Sequence, residues 1–474
     1  MLKLDDILRT TGGQPFVKIL SRGAEVFSGV STDSRTIKEG ELFIALRGEK
    51  FDGHDFLGAA LKTAAGAVID REEAFKPEIE NTGKSVLLVE DTLKTLQALA
   101  RFIRMKRPRM PVVGITGSNG KTTTKELAAL VLGQRFEVLK SLGNLNNQIG
   151  LPLNLCRLED SHGAAVLEMG ASRPGDIKEL CDIAVPTHGI ITNIGESHLE
   201  GFSKGKGGDP MQTLMDTKLD LARAAGAVVY NADDPRLSQA VLDEFNGKKA
   251  LTLMSFGIEK EADLRAGGIV MERGASAFEL FLKGQAGKVK VRLRAAGLFN
   301  IHNALAAMAA GLLFGITLEE GARAIEGFSG VPMRYEIRER GGALVLSDVY
   351  NANPASMGEA IKELLRLKGQ RAVAVLGDML ELGKYAEEAH KNLGARLAAL
   401  PVDVFIAVGP MMALACEEFI KSSKGFGNGK LAVSCADSGA AGETLKNNLR
   451  PGDTVLIKGS RGVRMEKVLE GISA

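Results

Sequence analysis

Apolar runs of three or four residues alternate with helix-length amphipathic segments along the middle of the chain. These runs lie at 112–115, 164–167, 189–191 and 227–230. An uninterrupted apolar run between helices is typical of a strand that is buried on both faces of a parallel sheet. Around 262–293 the pattern changes to strict alternation, which predicts antiparallel strands added to that sheet. A helix is predicted from about Asn300, after these strands.

The two ends of the chain have patterns of their own. Short alternating runs at 41–46 and 85–89 predict a small mixed α/β unit before residue 90. Glycine and proline at 327–332 suggest a linker, and a second β/α series follows it. Its runs at 343–346, 372–376, 404–408, 431–433 and 455–457 resemble an open nucleotide-binding sheet. The predicted class is α/β with three domains at 1–90, 91–328 and 329–474, in agreement with the length of 474 residues.

Composition excludes several classes of function. A net charge of +2, no tryptophan and four tyrosines give little for nucleic acid to bind. The four cysteines are far apart in the sequence, so we expect buried thiols rather than a zinc site. Acidic residues interrupt the N-terminus, so no signal peptide is predicted, and the longest apolar run, 304–316, is shorter than the roughly 20 residues of a membrane span. We expect a cytoplasmic monomer, without nucleic-acid partners or membrane insertion.

A glycine-rich turn follows the apolar run at 112–115. It places Lys121 and Thr122 at a predicted helix start, where backbone N–H groups and the helix dipole attract an anion. In such a loop Lys121 would reach the β- and γ-phosphates, and Thr122 would offer its hydroxyl to magnesium. The spacing of the glycines is a variant of the common phosphate-loop pattern. The sequence therefore predicts ATP binding by Thr116, Gly117, Ser118, Asn119, Gly120, Lys121 and Thr122.

Three other residues have chemistry that their position alone does not settle. Glu168 ends a predicted strand and could hold magnesium, or it could cap a helix. Its spacing favours neither role over the other. His198 also follows a strand, where a satisfied surface histidine is the more common case. Lys218 lies in a helical stretch, and a lone lysine there is ordinarily solvated.

Several ordered motifs resemble the Mur ligases, cytoplasmic enzymes that extend the peptide of the bacterial cell-wall precursor. Besides the phosphate loop, they are G-N-L-N-N-Q-I-G at 143–150, D-V-Y-N-A-N-P-A-S-M at 348–357 and L-G-D-M-L-E-L-G at 376–383. These three resemble the member that adds D-alanyl-D-alanine to UDP-N-acetylmuramoyl-tripeptide. The residues 31–35, 40–43 and 458–461 resemble the family as well.

The resemblance implies roles for particular residues. An N-terminal domain would bind the UDP-sugar, a central domain ATP, and a Rossmann-like C-terminal domain the incoming amine. Thr122 and Glu168 would hold one magnesium ion, and His198 with a carbamylated Lys218 a second, so that Lys121, Glu168, His198 and Lys218 are the implied catalytic residues. Further implied ATP contacts are Asn300, Asn303, Arg334, Asp348, Tyr350 and Asn351. Implied substrate contacts are Ser31, Thr32, Asp33, Ser34, Arg35, Asn144, Asn146 and Asn147.

The implied reaction is ATP-dependent formation of an amide through an acyl phosphate, which would yield the UDP-linked pentapeptide for peptidoglycan. Alternatives in the same class are the Mur ligase that adds the third amino acid and folylpolyglutamate synthase. A non-catalytic nucleotide-binding relative is the alternative from another class, and the presence of Lys121, Thr122, Glu168 and His198 favours an enzyme.

Overall fold

Three α/β units follow one another in the computed structural model, each built around its own sheet. The structure describes residues 1–11, 17–80, 82–196, 199–203, 209–248, 250–423 and 429–472. Most neighbouring strands in all three main sheets are parallel. The chain therefore has the predicted α/β class.

The N-terminal unit has a five-stranded sheet in the order β2-β7-β6-β5-β4, and a two-stranded pair β1-β3. Its elements are β1 (Leu2–Lys3), α1 (Leu4–Thr11), β2 (Val17–Ser21), β3 (Val26–Phe27), β4 (Val30–Ser31), β5 (Leu42–Ile44), α2 (Leu57–Ala60), β6 (Gly66–Ile69), α3 (Pro77–Glu80) and β7 (Ser85–Val89). Only β2 runs antiparallel in the larger sheet. The carboxyl ends of β4 to β7 therefore share one edge.

The central unit has a nine-stranded sheet in the order β16-β15-β14-β13-β12-β11-β8-β10-β9. Its strands are β8 (Val112–Thr116), β9 (Val138–Lys140), β10 (Ala164–Glu168), β11 (His188–Ile191), β12 (Ala227–Asn231), β13 (Thr252–Gly257), β14 (Leu264–Glu272), β15 (Ala275–Leu282) and β16 (Val289–Leu293). Its helices are α4 (Thr92–Met105), α5 (Lys121–Leu132), α6 (Gly150–Leu155), α7 (Asp176–Ala184), α8 (Leu199–Phe202), α9 (Pro210–Ala224), α10 (Pro235–Phe245), α11 (Leu298–Leu313) and α12 (Leu318–Glu326).

Two apolar cores cover the two faces of the central sheet. One core packs α5, α11 and α12 against it, and the other packs α6, α7 and α9 against the opposite face. The alanine-rich α11 is buried along most of its length, and a Cβ on Gly311 would lie 2.4 Å from Val131 of α5. Most of the longest apolar run of the sequence, 304–316, thus lies in a core helix, as its length predicted. The antiparallel strands predicted near 262–293 are β14, β15 and β16.

The C-terminal unit has a six-stranded sheet in the order β17-β18-β22-β19-β20-β21, parallel except for β17. Its elements are β17 (Glu336–Arg340), β18 (Ala343–Asp348), α13 (Pro354–Arg366), β19 (Arg371–Gly377), α14 (Ala386–Ala399), β20 (Val404–Val408), α15 (Pro410–Ser423), β21 (Leu431–Cys435), α16 (Ser438–Asn448), β22 (Asp453–Lys458) and α17 (Glu466–Gly471). In the described part of the chain, no helix combines the length and apolarity that crossing a membrane requires.

Candidate active site

A cleft of about 1200 Å³ separates the carboxyl edge of the central sheet from the C-terminal unit. Its central side carries the phosphate loop, Glu168 and the loop after β11, and its C-terminal side carries Arg334 and the segment after β18. The cleft therefore brings together most of the residues that the sequence predicted to bind ATP.

Three adjacent parallel strands form the floor of the central side. In the sheet, β8 lies between β10 and β11, with Glu168 beside Ile115 and Ile191 beside Thr116. Because all three strands end at the same edge, the loops that follow them converge, as expected at the switch point of an α/β sheet. The sheet order thus places Glu168 next to the phosphate loop.

Two glycines allow the phosphate loop to fit its surroundings. Gly117 has φ +144°, and a Cβ there would lie 1.9 Å from Thr192 Oγ1. Gly120 has φ +85°, and its Cβ would lie 2.3 Å from Asn303 Oδ1. Both positions combine a left-handed backbone with a polar neighbour that leaves no room for a side chain. Asn303, one of the implied ATP contacts, therefore lies against the phosphate loop itself.

The loop after β11 holds the phosphate loop in place. The side chain of Asn193 accepts from the backbone N–H of Asn119 at 2.9 Å and donates to the carbonyl of Asn119 at 3.0 Å. Thr192 Oγ1 donates to the same carbonyl at 2.6 Å, and Ser118 Oγ accepts from Gly195 N–H at 2.8 Å. Sequence reasoning did not single out Thr192 and Asn193, although both follow an apolar strand.

The Lys121 side chain folds back onto the phosphate loop. Its Nζ donates to the carbonyls of Gly117 at 2.8 Å and Ser118 at 3.3 Å. Burial lowers the pKa of the Lys121 amine, the Glu168 charge partly opposes this, and the Arg334 charge adds to it. A bound anion would relieve this desolvation penalty, since it favours the charged form.

Glu168 and Thr122 fit a divalent cation. Glu168 Oε1 accepts from Asn146 Nδ2 at 2.8 Å, whereas its buried Oε2 has no hydrogen-bond partner within the described residues. A buried carboxylate oxygen without a donor is costly unless a cation or water meets it. The Thr122 hydroxyl accepts from Arg334 Nη2 at 3.1 Å. Carboxylate and hydroxyl oxygens suit Mg²⁺, which is the ion predicted for this pair.

Of the two residues predicted to hold a second metal ion, the structure describes Lys218. His198 lies outside the described residues. Lys218 is buried in α9, and burial, followed by the Lys121 charge, lowers the pKa of its amine well below the ordinary value. The described part of the chain contains no group of three or more His, Cys, Asp or Glu side chains that could hold a metal.

The start of α11 forms the side of the cleft next to β12 and β13. Asn300 is buried and donates from Nδ2 to the Ala296 carbonyl at 2.7 Å, while Asn303 Oδ1 accepts from Thr124 Oγ1 at 3.2 Å. His302, which sequence reasoning passed over, pairs with Asp233 at 2.7 Å. Both asparagines line the cleft. The side-chain hydrogen bond of Asn300 fixes the start of α11, and that of Asn303 connects α11 to the helix after the phosphate loop.

Arg334 links the C-terminal side of the cleft to the phosphate loop. Its guanidinium lies 4.0 Å from the centre of the Tyr350 ring while it donates to Thr122. Its Nε is buried without a hydrogen-bond partner among the described residues. Arg334, one of the ATP contacts that the resemblance implied, thus reaches the loop that would hold the nucleotide.

Asp348 and Asn351 share one buried cation. Lys458, at the end of β22 and 1% exposed, pairs with Asp348 and donates to the Asn351 carbonyl at 2.9 Å. The parallel pairing of β18 with β22 sets Asp348 directly beside Lys458. From the sequence, Lys458 was only part of the motif at 458–461. Its pairing with Asp348 was not predicted, because the two residues are more than one hundred positions apart.

The residues predicted to bind substrate fall in two places. Asn144, Asn146 and Asn147 line the cleft, and Asn147 accepts from Gly150 N–H at the start of α6. The segment 31–35 lies at the carboxyl edge of the N-terminal sheet and is not part of the cleft lining. There Arg35 pairs with Asp33 at 2.6 Å and holds the pKa of that carboxyl at about 2.

Comparisons with known proteins cover nearly the whole chain. Family models match for the Mur ligase catalytic domain at 26–104, the Mur ligase middle domain at 115–311 and the Mur ligase glutamate ligase domain at 333–461. A relative from Bacillus subtilis, named UDP-N-acetylmuramoyl-tripeptide–D-alanyl-D-alanine ligase, is 35% identical over 94% of this chain and 93% of its own.

Solved structures agree with the sequence comparisons. The crystal structure of MurF from Acinetobacter baumannii superimposes with a TM-score of 0.85 at 30% identity, covering 99% of this chain and 98% of that one. MurF ligase from Thermotoga maritima in complex with ADP gives a TM-score of 0.78 at 31% identity, covering 96% and 97%. The three-domain architecture of these structures is also that of the present chain.

Proposed function

The chain belongs to the Mur ligase family, and from this premise we propose that it is an ATP-dependent ligase that joins D-alanyl-D-alanine to UDP-N-acetylmuramoyl-tripeptide. The product is the UDP-linked pentapeptide used for bacterial peptidoglycan. The observation that carries the proposal is similarity over 94% of the chain to a protein named as this ligase. The alternatives, a ligase for the third amino acid or a folylpolyglutamate synthase, are not favoured because that relative matches over 94% of this chain and 93% of its own length.

The cleft supports activation of a carboxylate by ATP. The phosphate loop would bind the phosphates through its backbone N–H groups, with Lys121 and Arg334 facing the transferring group. The tripeptide's terminal carboxylate attacks the γ-phosphorus, the bond from that phosphorus to the bridging oxygen breaks, and ADP leaves. The product is an acyl phosphate, in which phosphate is a far better leaving group than hydroxide.

The second half of the reaction makes the peptide bond. The neutral amine of D-alanyl-D-alanine attacks the carbonyl carbon of the acyl phosphate, and a tetrahedral intermediate forms. It collapses when the bond between carbon and the phosphate oxygen breaks, and the nitrogen loses its proton to solvent. Closure of the C-terminal unit over the central cleft would exclude water, which would otherwise hydrolyse the acyl phosphate.

Magnesium fits the residues present. Thr122 and Glu168 would hold one ion, and the unpartnered Oε2 of Glu168 supports this assignment. When bound, magnesium supplies positive charge that neutralises the transferring phosphoryl group. Asn146 orients Glu168 through its hydrogen bond to Oε1.

A carbamylated Lys218, together with His198, would hold a second magnesium ion. Burial favours the neutral amine of Lys218, which is the form that reacts with carbon dioxide. Lys218→Ala should lose most turnover and regain part of it with added acetate or formate, measured as phosphate release. Wild-type activity in this variant would remove Lys218 from the site.

The N-terminal unit would bind the UDP-sugar through 31–35, and we propose the divisions 1–90, 91–328 and 329–474 as the domains. The asparagines at 144, 146 and 147 would contact the peptide part of the substrate from the cleft. We place the reaction in the cytoplasm, where ATP is available, and we propose a monomer.

One experiment tests the function directly. Phosphate release is measured with UDP-N-acetylmuramoyl-tripeptide plus D-alanyl-D-alanine, and separately with the dipeptide precursor plus single amino acids. Turnover is expected only with the first pair. Turnover confined to the second pair would contradict the proposal and favour the third-residue ligase.

A further inference from the structure

One hydrogen bond between side chains joins the helix that follows the C-terminal cleft segment to the phosphate loop. Asn353 Nδ2 donates to Asn119 Oδ1 at 2.8 Å, across 234 positions of sequence. Asn353 is buried, and a buried amide that finds its partner on another unit ties the two units together in one geometry.

On the central side, the bond ends on a residue whose backbone is fixed. Asn193 binds both the N–H and the carbonyl of Asn119, and Thr192 binds the carbonyl as well. The side chain of Asn119 therefore projects from a rigid part of the loop. Any change in the loop that moves Asn119 also moves the acceptor that Asn353 meets.

On the C-terminal side, Asn353 caps α13. Its Oδ1 accepts from Ser356 N–H at 2.8 Å, and Ser356 Oγ accepts from the N–H of Asn353 at 3.1 Å. Tyr350 and Asn351, both in the cleft lining, come just before this cap. The position of Asn353 consequently sets the position of the segment that faces the nucleotide.

We propose that Asn353 is a positioning residue that, through Asn119, docks the C-terminal unit onto the phosphate loop and couples nucleotide binding to delivery of the amine. This inference rests on the proposed function. A neutral amide pair suits such a role because its net contribution is small, so the two units can separate again after each turnover. Arg334, just before β17, approaches the same loop, but it contacts Thr122 rather than Asn119.

The test separates docking from helix capping. Asn353→Ser keeps a good N-cap for α13 but is too short to reach Asn119. The matched control is Asp437→Ser, which changes the cap of α16 in the same unit, where Asp437 accepts from Ala440 N–H and does not line the cleft. Small-angle scattering with and without a non-hydrolysable ATP analogue measures compaction, and steady-state kinetics measure kcat and KM.

Asn353→Ser should lower kcat about 3- to 10-fold, the range of one neutral hydrogen bond. Because docking and nucleotide binding are linked, the apparent dissociation constant for ATP should rise, by no more than the same factor. Small-angle scattering should show less compaction of Asn353→Ser than of wild type when the analogue binds. Asp437→Ser should match wild type both in kcat and in compaction. Combining Asn353→Ser with Asn119→Ala should cost no more than the worse single change, since both remove one bond.

Any of three results would overturn the inference. The losses of kcat in the two single variants could add in the double variant, kcat could be unchanged in Asn353→Ser, or the analogue could leave the scattering profile of the wild-type protein unaltered. Failure of the proposed function would look different. In that case wild-type protein would release no phosphate with tripeptide and D-alanyl-D-alanine, while the scattering comparison would still report on the Asn119–Asn353 pair.

Discussion

The two sheets that meet at the cleft present their carboxyl edges in different ways. The central sheet offers backbone: a loop with two left-handed glycines, held by Thr192 and Asn193. The C-terminal sheet offers side chains, with Asp348 paired to the buried Lys458 and Arg334 against Tyr350. A backbone site tolerates no added atoms, whereas a side-chain site depends on charge balance. Substitutions at the carboxyl edge are therefore expected to disrupt the central unit by steric clash and the C-terminal unit by loss of charge balance.

The largest expected effect is on the backbone side. Gly120→Ala places a Cβ 2.3 Å from Asn303 Oδ1 at a left-handed position, so the loop or α11 must shift. A displacement of about 1 Å can cost about 100-fold in rate. We expect at least that loss in kcat/KM, measured as phosphate release, with the protein still folded by circular dichroism.

Gly175→Ala is the matched control for this variant. Gly175 has φ +86° and also precedes a helix, but a Cβ there would have no heavy atom within 4 Å apart from those of its own local backbone. It carries the same backbone strain of roughly 1–2 kcal/mol without the clash. Equal losses of activity in the two variants would show that strain, not the contact with Asn303, explains the effect.

The second effect tests charge balance on the C-terminal side. Asp348→Asn leaves the Lys458 ammonium buried without its carboxylate, which typically costs about 3 kcal/mol. Urea denaturation should show that loss in the free energy of unfolding. The double variant Asp348→Asn, Lys458→Met should recover most of it, and a double variant as unstable as the single one would refute this account.

A smaller effect is expected for the residue that orients Glu168. Asn146→Ala removes the donor to Glu168 Oε1 and leaves the carboxylate free to rotate. Loss of such an orienting partner typically weakens metal affinity about 10- to 100-fold. The magnesium concentration for half-maximal turnover should rise by at least the lower figure. An unchanged magnesium dependence would place the ion elsewhere.

The smallest effect is expected far from the cleft, at the exposed pair of Asp33 and Arg35. Arg35 holds the folded pKa of Asp33 at about 2, so any stability from this carboxyl is present above its unfolded pKa and is lost as pH falls towards 2. Arg35→Ala should return the pKa of Asp33 towards 3.8, measured by NMR titration. Because both side chains are exposed, the midpoint of thermal unfolding at neutral pH should not move.

Local pattern was enough for much of the fold. The apolar runs predicted β8, β10, β11 and β12, and the strands β18 to β22 of the C-terminal series, because a strand buried on both faces is mostly apolar. The short alternating runs predicted β5 and β7. The strands β1 to β4, β6, β9, β13 and β17 were not predicted. Most of them are short, lie at a sheet edge or mix polar with apolar residues, so their period is weak. The apolar, buried β6 was missed although its pattern resembles that of β11.

The phosphate loop could be predicted from the sequence alone, since its glycines, Lys121 and Thr122 are neighbours along the chain. The apolar run before Glu168 also predicted that this residue ends a strand. The partners across the cleft are visible only in the folded chain: Lys458 for Asp348, Asn119 for Asn353, Asn303 for Gly120, and Arg334 for Thr122. The physical reason is that strand order brings distant residues together, and no spacing along the chain encodes which strand ends will face each other across a cleft.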